Sequence, residues 1–373
     1  MGSVIPFQAE GVVPHLAAAV PPLADVGCCQ EIPEHHSHVE PSAEPRLPSG
    51  FLLDGRFAIQ ELVACSGQAT VYRALDLPNG WRDVAVKVPL RRVECDAAGF
   101  ARFQREDETG LRLSHPSLLK FHAVAGGKSR PYLVMEYLRG CTLAHLVRDQ
   151  LPLAEADALK IVGLVAAAVG HMHRQGLIHR DLKPSNIMLC CDQTLRVVDF
   201  GLSSPPLRHR SVLARLGTIF GAPEFMAPEQ VENGPIDERT DIYALGCVLY
   251  QLLTGTVPFP NENQWQSAFQ RTSGDPVAPR KLNPVLSPQA EEIILHALQR
   301  RPDDRYPSMA AFEAELGAPD RVVVTGRCER LRPPRFKLSL QGTPMLAGLL
   351  LGFGTLLFLV VMFLVLCTLP HHR

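Results

Sequence analysis

The chain has 373 residues, 37 lysines and arginines against 38 aspartates and glutamates, a net charge of −1 and 46% hydrophobic residues. A chain this long exceeds the usual single-core limit, which favours one large two-lobed unit with appendages. The balanced charge excludes nucleic acid as a general partner, because phosphate backbones are bound by a surplus of basic residues.

Residues 1–50 are rich in Pro, Ala, Glu and His, show no sustained period and end in Pro45, Pro48 and Gly50. Such a segment buries too little apolar surface to offset chain entropy and reads as a disordered leader. Its first residues lack a basic n-region and are broken by Pro6 and Pro14, so no secretory signal is expected. Proline at position 6 also stands where a myristoylation signal after Gly2 wants Ser or Thr. Cys28, Cys29, His35, His36 and His38 read as a solvated tail rather than as metal ligands. The ten cysteines show no repeated C-x-x-C spacing that would mark zinc or a disulfide framework.

From Phe51 the pattern changes. Segments 57–63, 70–74 and 83–88 read as antiparallel strands, with 76–80 as a turn; 97–113 reads as a helix, and 118–124 and 132–136 as two further strands. Beyond Cys141 the pattern turns helical, with a long apolar-striped helix at 153–175 and a nearly all-apolar, hence buried, helix at 241–253. The expected class is α+β and bilobed: a five-stranded antiparallel sheet plus one helix over 51–138, and a mostly helical lobe over 139–316. Residues 317–344 form a basic, proline-containing linker. Residues 345–369 carry no charge and exceed the roughly 20 residues needed to cross a bilayer, so they read as a transmembrane helix, followed by the short tail 370–373. Arg321, Arg327, Arg330, Arg332, Arg335 and Lys337 precede the span against Arg373 after it, which puts residues 51–316 in the cytoplasm by the positive-inside rule. Gly348 and Gly352 make a G-x-x-x-G that would let two such helices approach, hence a homodimer.

The chemistry concentrates in His179-Arg180-Asp181-Leu182-Lys183-Pro184-Ser185-Asn186, followed thirteen residues later by Asp199-Phe200-Gly201. Phosphoryl transfer needs a positioned nucleophile and charge neutralisation over the phosphate, and a loop carrying a carboxylate, a cation and a metal-binding amide suits it. The two runs match the H-R-D-L-x-x-x-N and D-F-G of protein kinases. The chain resembles that family from about Phe51 to about Leu316, and Ala69-Thr70-Val71-Tyr72 resembles its bacterial, Hanks-type branch. The resemblance implies ATP and Mg²⁺ as cofactors and protein substrates. It assigns Asp181 to the attacking hydroxyl, Lys183 to the γ-phosphate, and Asn186 with Asp199 to Mg²⁺. In Val84-Ala85-Val86-Lys87 the lysine would be held against the α- and β-phosphates by Glu106. Val63, Ser66, Gly67, Val71 and Ala85 would line the nucleotide, Met135 would be the gatekeeper, and the backbone from Glu136 to Leu138 would contact adenine. Ala227-Pro228-Glu229 marks the segment for peptide docking, with Arg305 pairing Glu229; Asp241 and Gly246 match the buried helix beneath the catalytic loop.

Lys183 resembles serine/threonine rather than tyrosine kinases. Thr218 has the spacing of the activation-loop threonine, with Arg180 suited to its phosphate and Ser203, Ser204 and Ser211 as secondary acceptors. The chain departs from the family in three places. Its glycine-rich loop has Ala64, Ser66 and Ala69 at the expected glycines, leaving a displaced Gly67; Gly110 stands where a bulkier residue usually bridges to the D-F-G phenylalanine; and Ala222 replaces a threonine before proline. Glycine inside a helix costs about 1 kcal/mol against alanine, so the helix carrying Glu106 is expected to be loosely held. The main reading is a serine/threonine protein kinase of the membrane, the bacterial inner membrane if the source is bacterial. The alternative is a pseudokinase scaffold that binds nucleotide or partners with little or no catalysis.

Overall fold

The computed structural model describes residues 46–206, 223–261 and 264–332. The leader up to residue 45, the segment 207–222 with Thr218 and Ala222, and the expected span 345–369 lie outside the described residues. Among the described residues no helix is long and apolar enough to cross a membrane.

The first lobe is built on five strands: β1 (Leu52–Leu53), β2 (Phe57–Cys65), β3 (Ala69–Asp76), β4 (Arg82–Pro89) and β5 (Leu133–Glu136), in that order and antiparallel throughout. Side chains alternate faces along a strand. One face therefore gathers Phe57, Ile59, Tyr72, Ala74, Val84, Val86, Val88 and Val134 into a small core of its own. Ala85 and Met135, on the opposite face, join the larger core of the second lobe. Between β4 and β5 run the short helix α1 (Arg91–Glu94) and the long helix α2 (Ala97–Arg112). The Asp96 carboxylate caps α2 by accepting from the Gly99 amide at 2.7 Å.

The fifth strand is not the one expected. Residues 118–124 form no strand; they make isolated bridges from Leu118 to Val197 and from Phe121 to Met135. Their backbone groups are divided between lobes: the Leu119 amide donates to the Val197 carbonyl at 3.0 Å, and the His122 amide to the Val134 carbonyl at 2.8 Å. The two-residue β1 completes the sheet instead. Ahead of it the Leu47 amide donates to the Tyr72 hydroxyl at 3.1 Å, so the last residues of the expected leader pack on the sheet.

The second lobe opens with β6 (Gly140–Thr142), α3 (Leu143–Asp149) and α4 (Glu155–Arg174). Strands β7 (Ile187–Cys190) and β8 (Leu195–Val197) join β6 in a three-stranded antiparallel sheet. The helices α5 (Pro228–Glu232), α6 (Arg239–Thr254), α7 (Gln264–Ser273), α8 (Pro279–Leu282), α9 (Pro288–Ala297) and α10 (Met309–Gly317) follow. Helix α6 is apolar on nearly every face because α4, α9 and the catalytic loop surround it. The chain then stays on the domain. After 3-10 turns at Pro319–Arg321 and Arg327–Arg330, Glu292 of α9 accepts from Thr325 Oγ1 and Arg327, and the Arg332 amide donates to Asp275 at 2.9 Å. Half of the expected linker is thus packed against α9 and the end of α7.

Candidate active site

Strand β4 places Lys87 on the face towards α2. Its Nζ lies 2.7 and 2.8 Å from the two Glu106 carboxylate oxygens and 4.0 Å from Asp199 Oδ1. Burial opposes the lysine charge, but Glu106 and Asp199 more than restore it, and Lys87 titrates above its ordinary value. The same burial pushes Glu106 upward.

The catalytic loop is shaped from below by α6. Buried Asp241 accepts from the His179 and Arg180 amides, each at 2.8 Å, and from His173 Nε2 at 2.8 Å. These bonds hold the loop where Arg180 adopts the left-handed region, φ +70°. The Asp181 carboxylate accepts from Lys183 Nζ at 2.7 Å and Asn186 Nδ2 at 3.1 Å, while Asn186 Nδ2 also donates to the Asp181 carbonyl at 2.8 Å. Burial raises Asp181 above the usual carboxylate value despite Lys183, which pulls it down. Asp199 is also pushed up by burial, but Lys87 and the Gly201 amide outweigh that and hold it below its ordinary value. Its side chain is 47% exposed.

A half-buried cation on the strand, two carboxylates of opposite shift and a lysine on one of them match the parts of a phosphoryl-transfer site. The residues from Ser66 to Leu316 match the family model for the protein kinase domain. The chain belongs to the protein kinase family. It is 33% identical over 288 residues to the serine/threonine-protein kinase PknB of Mycolicibacterium smegmatis, covering 74% of this chain and 46% of that one. PknB of Mycobacterium tuberculosis is 32% identical over 268 residues, 71% of this chain and 43% of the relative. A probable serine/threonine-protein kinase of Corynebacterium efficiens is 34% identical over 283 residues, 74% and 43% respectively. The chain spans less than half the length of these curated relatives.

The segment expected to meet the phosphates is a tight turn between β2 and β3. Ser66 Oγ accepts from the Gln68 and Ala69 amides at 3.2 and 3.1 Å, and the Ser66 amide donates to the Ala69 carbonyl at 2.9 Å. Arg92 of α1 donates through Nε to the Gly67 carbonyl at 3.1 Å. The turn is therefore closed by a hydroxyl and a guanidinium where the family uses glycines. Val63 on β2 is exposed, while Val71 on β3 pairs with Lys87 and packs on the larger core. Ala85 and Met135 are register partners on β4 and β5, both buried. The Glu136 amide donates to the Lys120 carbonyl at 2.9 Å, and Leu138 packs partly buried against the larger core.

Gly110 changes the expectation for α2. A Cβ there would lie 2.4 Å from Cγ and Cδ2 of Phe121, so the Phe121 ring already fills the place of the missing side chain. That ring stands 5.8 Å from the Phe200 ring, and Phe200 stands 6.1 Å from His179. Helix α2 is thus braced against the D-F-G segment from the 118–124 stretch rather than loosely held. Nothing near Gly110 in the chain signals this, because the compensating ring is eleven residues away on another element.

Two further expectations concern the activation segment. Arg305 Nη1 and Nη2 lie 2.8 and 2.7 Å from the Glu229 oxygens, with Thr240 Oγ1 at 2.7 Å from the same carboxylate. Arg180 Nη1 donates to Ser204 Oγ at 2.9 Å, and both Ser203 and Ser204 are buried, which removes them as ready phosphoacceptors. Thr218 and Ser211 are outside the described residues. Sequence reasoning missed Arg92, Phe121 and Gln230. Gln230 Oε1 accepts from the Ala227 amide and Nε2 donates to the Arg180 carbonyl, each at 2.9 Å, tying the Ala227-Pro228-Glu229 segment to the 179–186 loop.

Proposed function

We propose that this chain is a membrane-anchored serine/threonine protein kinase that transfers the γ-phosphate of ATP to hydroxyls of proteins. The observation that carries the reading is the intact Lys87–Glu106 pair with Asp199 beside it, since that pairing is what holds the nucleotide phosphates in line. Asp181 would orient the attacking hydroxyl and take its proton, a task its raised value suits, with Lys183 shared between it and the transferring phosphate. Asn186 donates its amide nitrogen to Asp181 and so turns its carbonyl oxygen free of that bond. With the Asp199 carboxylate it makes a hard-oxygen set that fits Mg²⁺, which would neutralise phosphate charge. Anchoring rests on the uncharged stretch 345–369 and the basic residues before it, with the kinase domain in the cytoplasm. Activation would run through Thr218.

The pseudokinase reading has one observation in its favour: Ser66 Oγ occupies loop amides that would otherwise meet phosphate. Labelled ATP separates the two. Wild type is expected to phosphorylate itself or a mixed Ser/Thr peptide pool. Asp181→Asn should lower turnover with nucleotide binding retained, and Asp199→Ala should weaken Mg²⁺-dependent ATP binding as well. Equal incorporation by all three proteins would leave only the scaffold.

A further inference from the structure

Arg271 of α7 is among the largest fully buried side chains in the protein, at 1% exposure. The other cations described above sit on carboxylates, partly buried Lys87 on Glu106 and fully buried Arg305 on Glu229. Among the described residues Arg271 pairs with no carboxylate. Its guanidinium donates to the Met226 carbonyl through Nη1 and to the Glu224 carbonyl at 2.9 Å through Nη2. Longer contacts run from Nη2 to Ser267 Oγ and from Nε to the Ser267 carbonyl, both 3.4 Å. Ser267 Oγ donates in turn to the Phe259 carbonyl at 2.5 Å, and the Phe259 ring lies 5.6 Å from the guanidinium carbon.

Burying a charge without a counter-charge is costly unless hydrogen bonds and dipoles replace the water it loses. Here those dipoles are two backbone carbonyls of one short stretch, the 3-10 turn Pro223–Phe225 and Met226. That stretch leads into Ala227, whose amide is held by Gln230, which also holds the Arg180 carbonyl next to Asp181. A continuous set of hydrogen bonds therefore runs from α7 through residues 224–227 to the catalytic loop. The planar fork of arginine can donate to two carbonyls two residues apart, whereas a lysine ammonium is a single point donor.

We propose that Arg271 is a positioning residue for the protein substrate: it sets the placement of residues 223–226, a stretch tied through Gln230 to the loop that carries Asp181 and on which the acceptor peptide would lie. This rests on the kinase reading above. A purely space-filling arginine would be replaced by methionine without effect on peptide recognition. An anchor would not.

The test uses the full chain, a mixed Ser/Thr peptide pool as substrate, and amide hydrogen exchange of residues 223–230. Arg271→Met keeps the stem and removes every donor. It is expected to raise KM for peptide about tenfold or more, the loss of one charge-assisted hydrogen bond, with KM for ATP unchanged. Exchange should rise in 223–230 but not in α6. Arg271→Lys should recover part of both effects. Ser267→Ala, which leaves the charge in place, should shift both readouts less and in the same direction, and it serves if Arg271→Met does not fold. The proposal is overturned if peptide and ATP KM rise together, or if exchange in 223–230 stays at the wild-type level. If the wild type transfers no phosphate the kinase reading fails, and the exchange measurement still decides whether Arg271 anchors the segment.

Discussion

Replacing Gly110 by alanine gives opposite expectations from chain and structure. In an exposed helix the change would stabilise by about 1 kcal/mol through backbone entropy. Here the new methyl would stand 2.4 Å from two carbons of the Phe121 ring and 2.7 Å from a third, closer than real contacts come. Overpacking a core site costs about 1–3 kcal/mol, so the net effect is a loss of up to ~2 kcal/mol. In a domain of this size that lowers Tm by about 2–4 °C per kcal/mol. Activity should fall further than stability, because Glu106 lies one turn from Gly110 on the same helix and any tilt lengthens its bond to Lys87. Phe121→Leu alone should open a void beside Phe200 and also weaken activity. The double variant Gly110→Ala with Phe121→Leu should recover much of the loss, with a coupling of about 0.5–3 kcal/mol between contacting sites. Thermal unfolding and initial rates of peptide phosphorylation on the four proteins give the cycle. If Gly110→Ala melts at or above the wild-type temperature with full activity, or if the two changes simply add, Phe121 is not the brace of α2.

Three other outcomes are expected. Because Asp181 must be ionised to accept a proton and its value is raised above the ordinary 3.8, turnover is lost on acidification at a pH above that value; Asp199, held below 3.8, does not set the limb. Removing the lysine that pulls Asp181 down, by Lys183→Met, should move the acid limb of the pH–rate profile to higher pH. Arg305→Ala should destabilise the domain by about 3–5 kcal/mol in denaturant unfolding, because it leaves the buried Glu229 carboxylate without its ion partner. In lipid vesicles the full chain should autophosphorylate faster than the soluble domain at equal bulk concentration, with Thr218 modified by mass spectrometry, and Gly348→Leu with Gly352→Leu should narrow that gap.

That Asp181, Lys183 and Asn186 would meet was legible because their spacing fixes it: a carboxylate, a lysine and an amide within six residues of one loop, which the structure joins by hydrogen bonds. Strands β2 to β5 were legible from alternation, since a one-residue slip would turn every apolar side chain to the wrong face. The stretch 118–124 alternates equally well, yet its hydrogen bonds are shared between β8 and β5, and that division is not written in its own residues. The same holds for the departures from family pattern. Ser66 and Gly110 look like losses when read alone. The groups that answer them, Arg92 and Phe121, are non-local, and only packing brings them together. The ties on the docking segment through Gln230 and Arg271 were hidden for the same reason.

The packing of residues 319–332 bears on where the domain can be cut. The family model ends at Leu316, and a soluble version terminated there would strip Thr325 and Arg327 from Glu292, whose carboxylate is buried and held below its usual value by those two groups against the pull of burial. Such a protein would lose these hydrogen bonds and uncover the face of α9 that residues 319–332 close, a loss of stability unrelated to catalysis. Preparations meant to report on the enzyme should therefore retain the chain at least through Arg332.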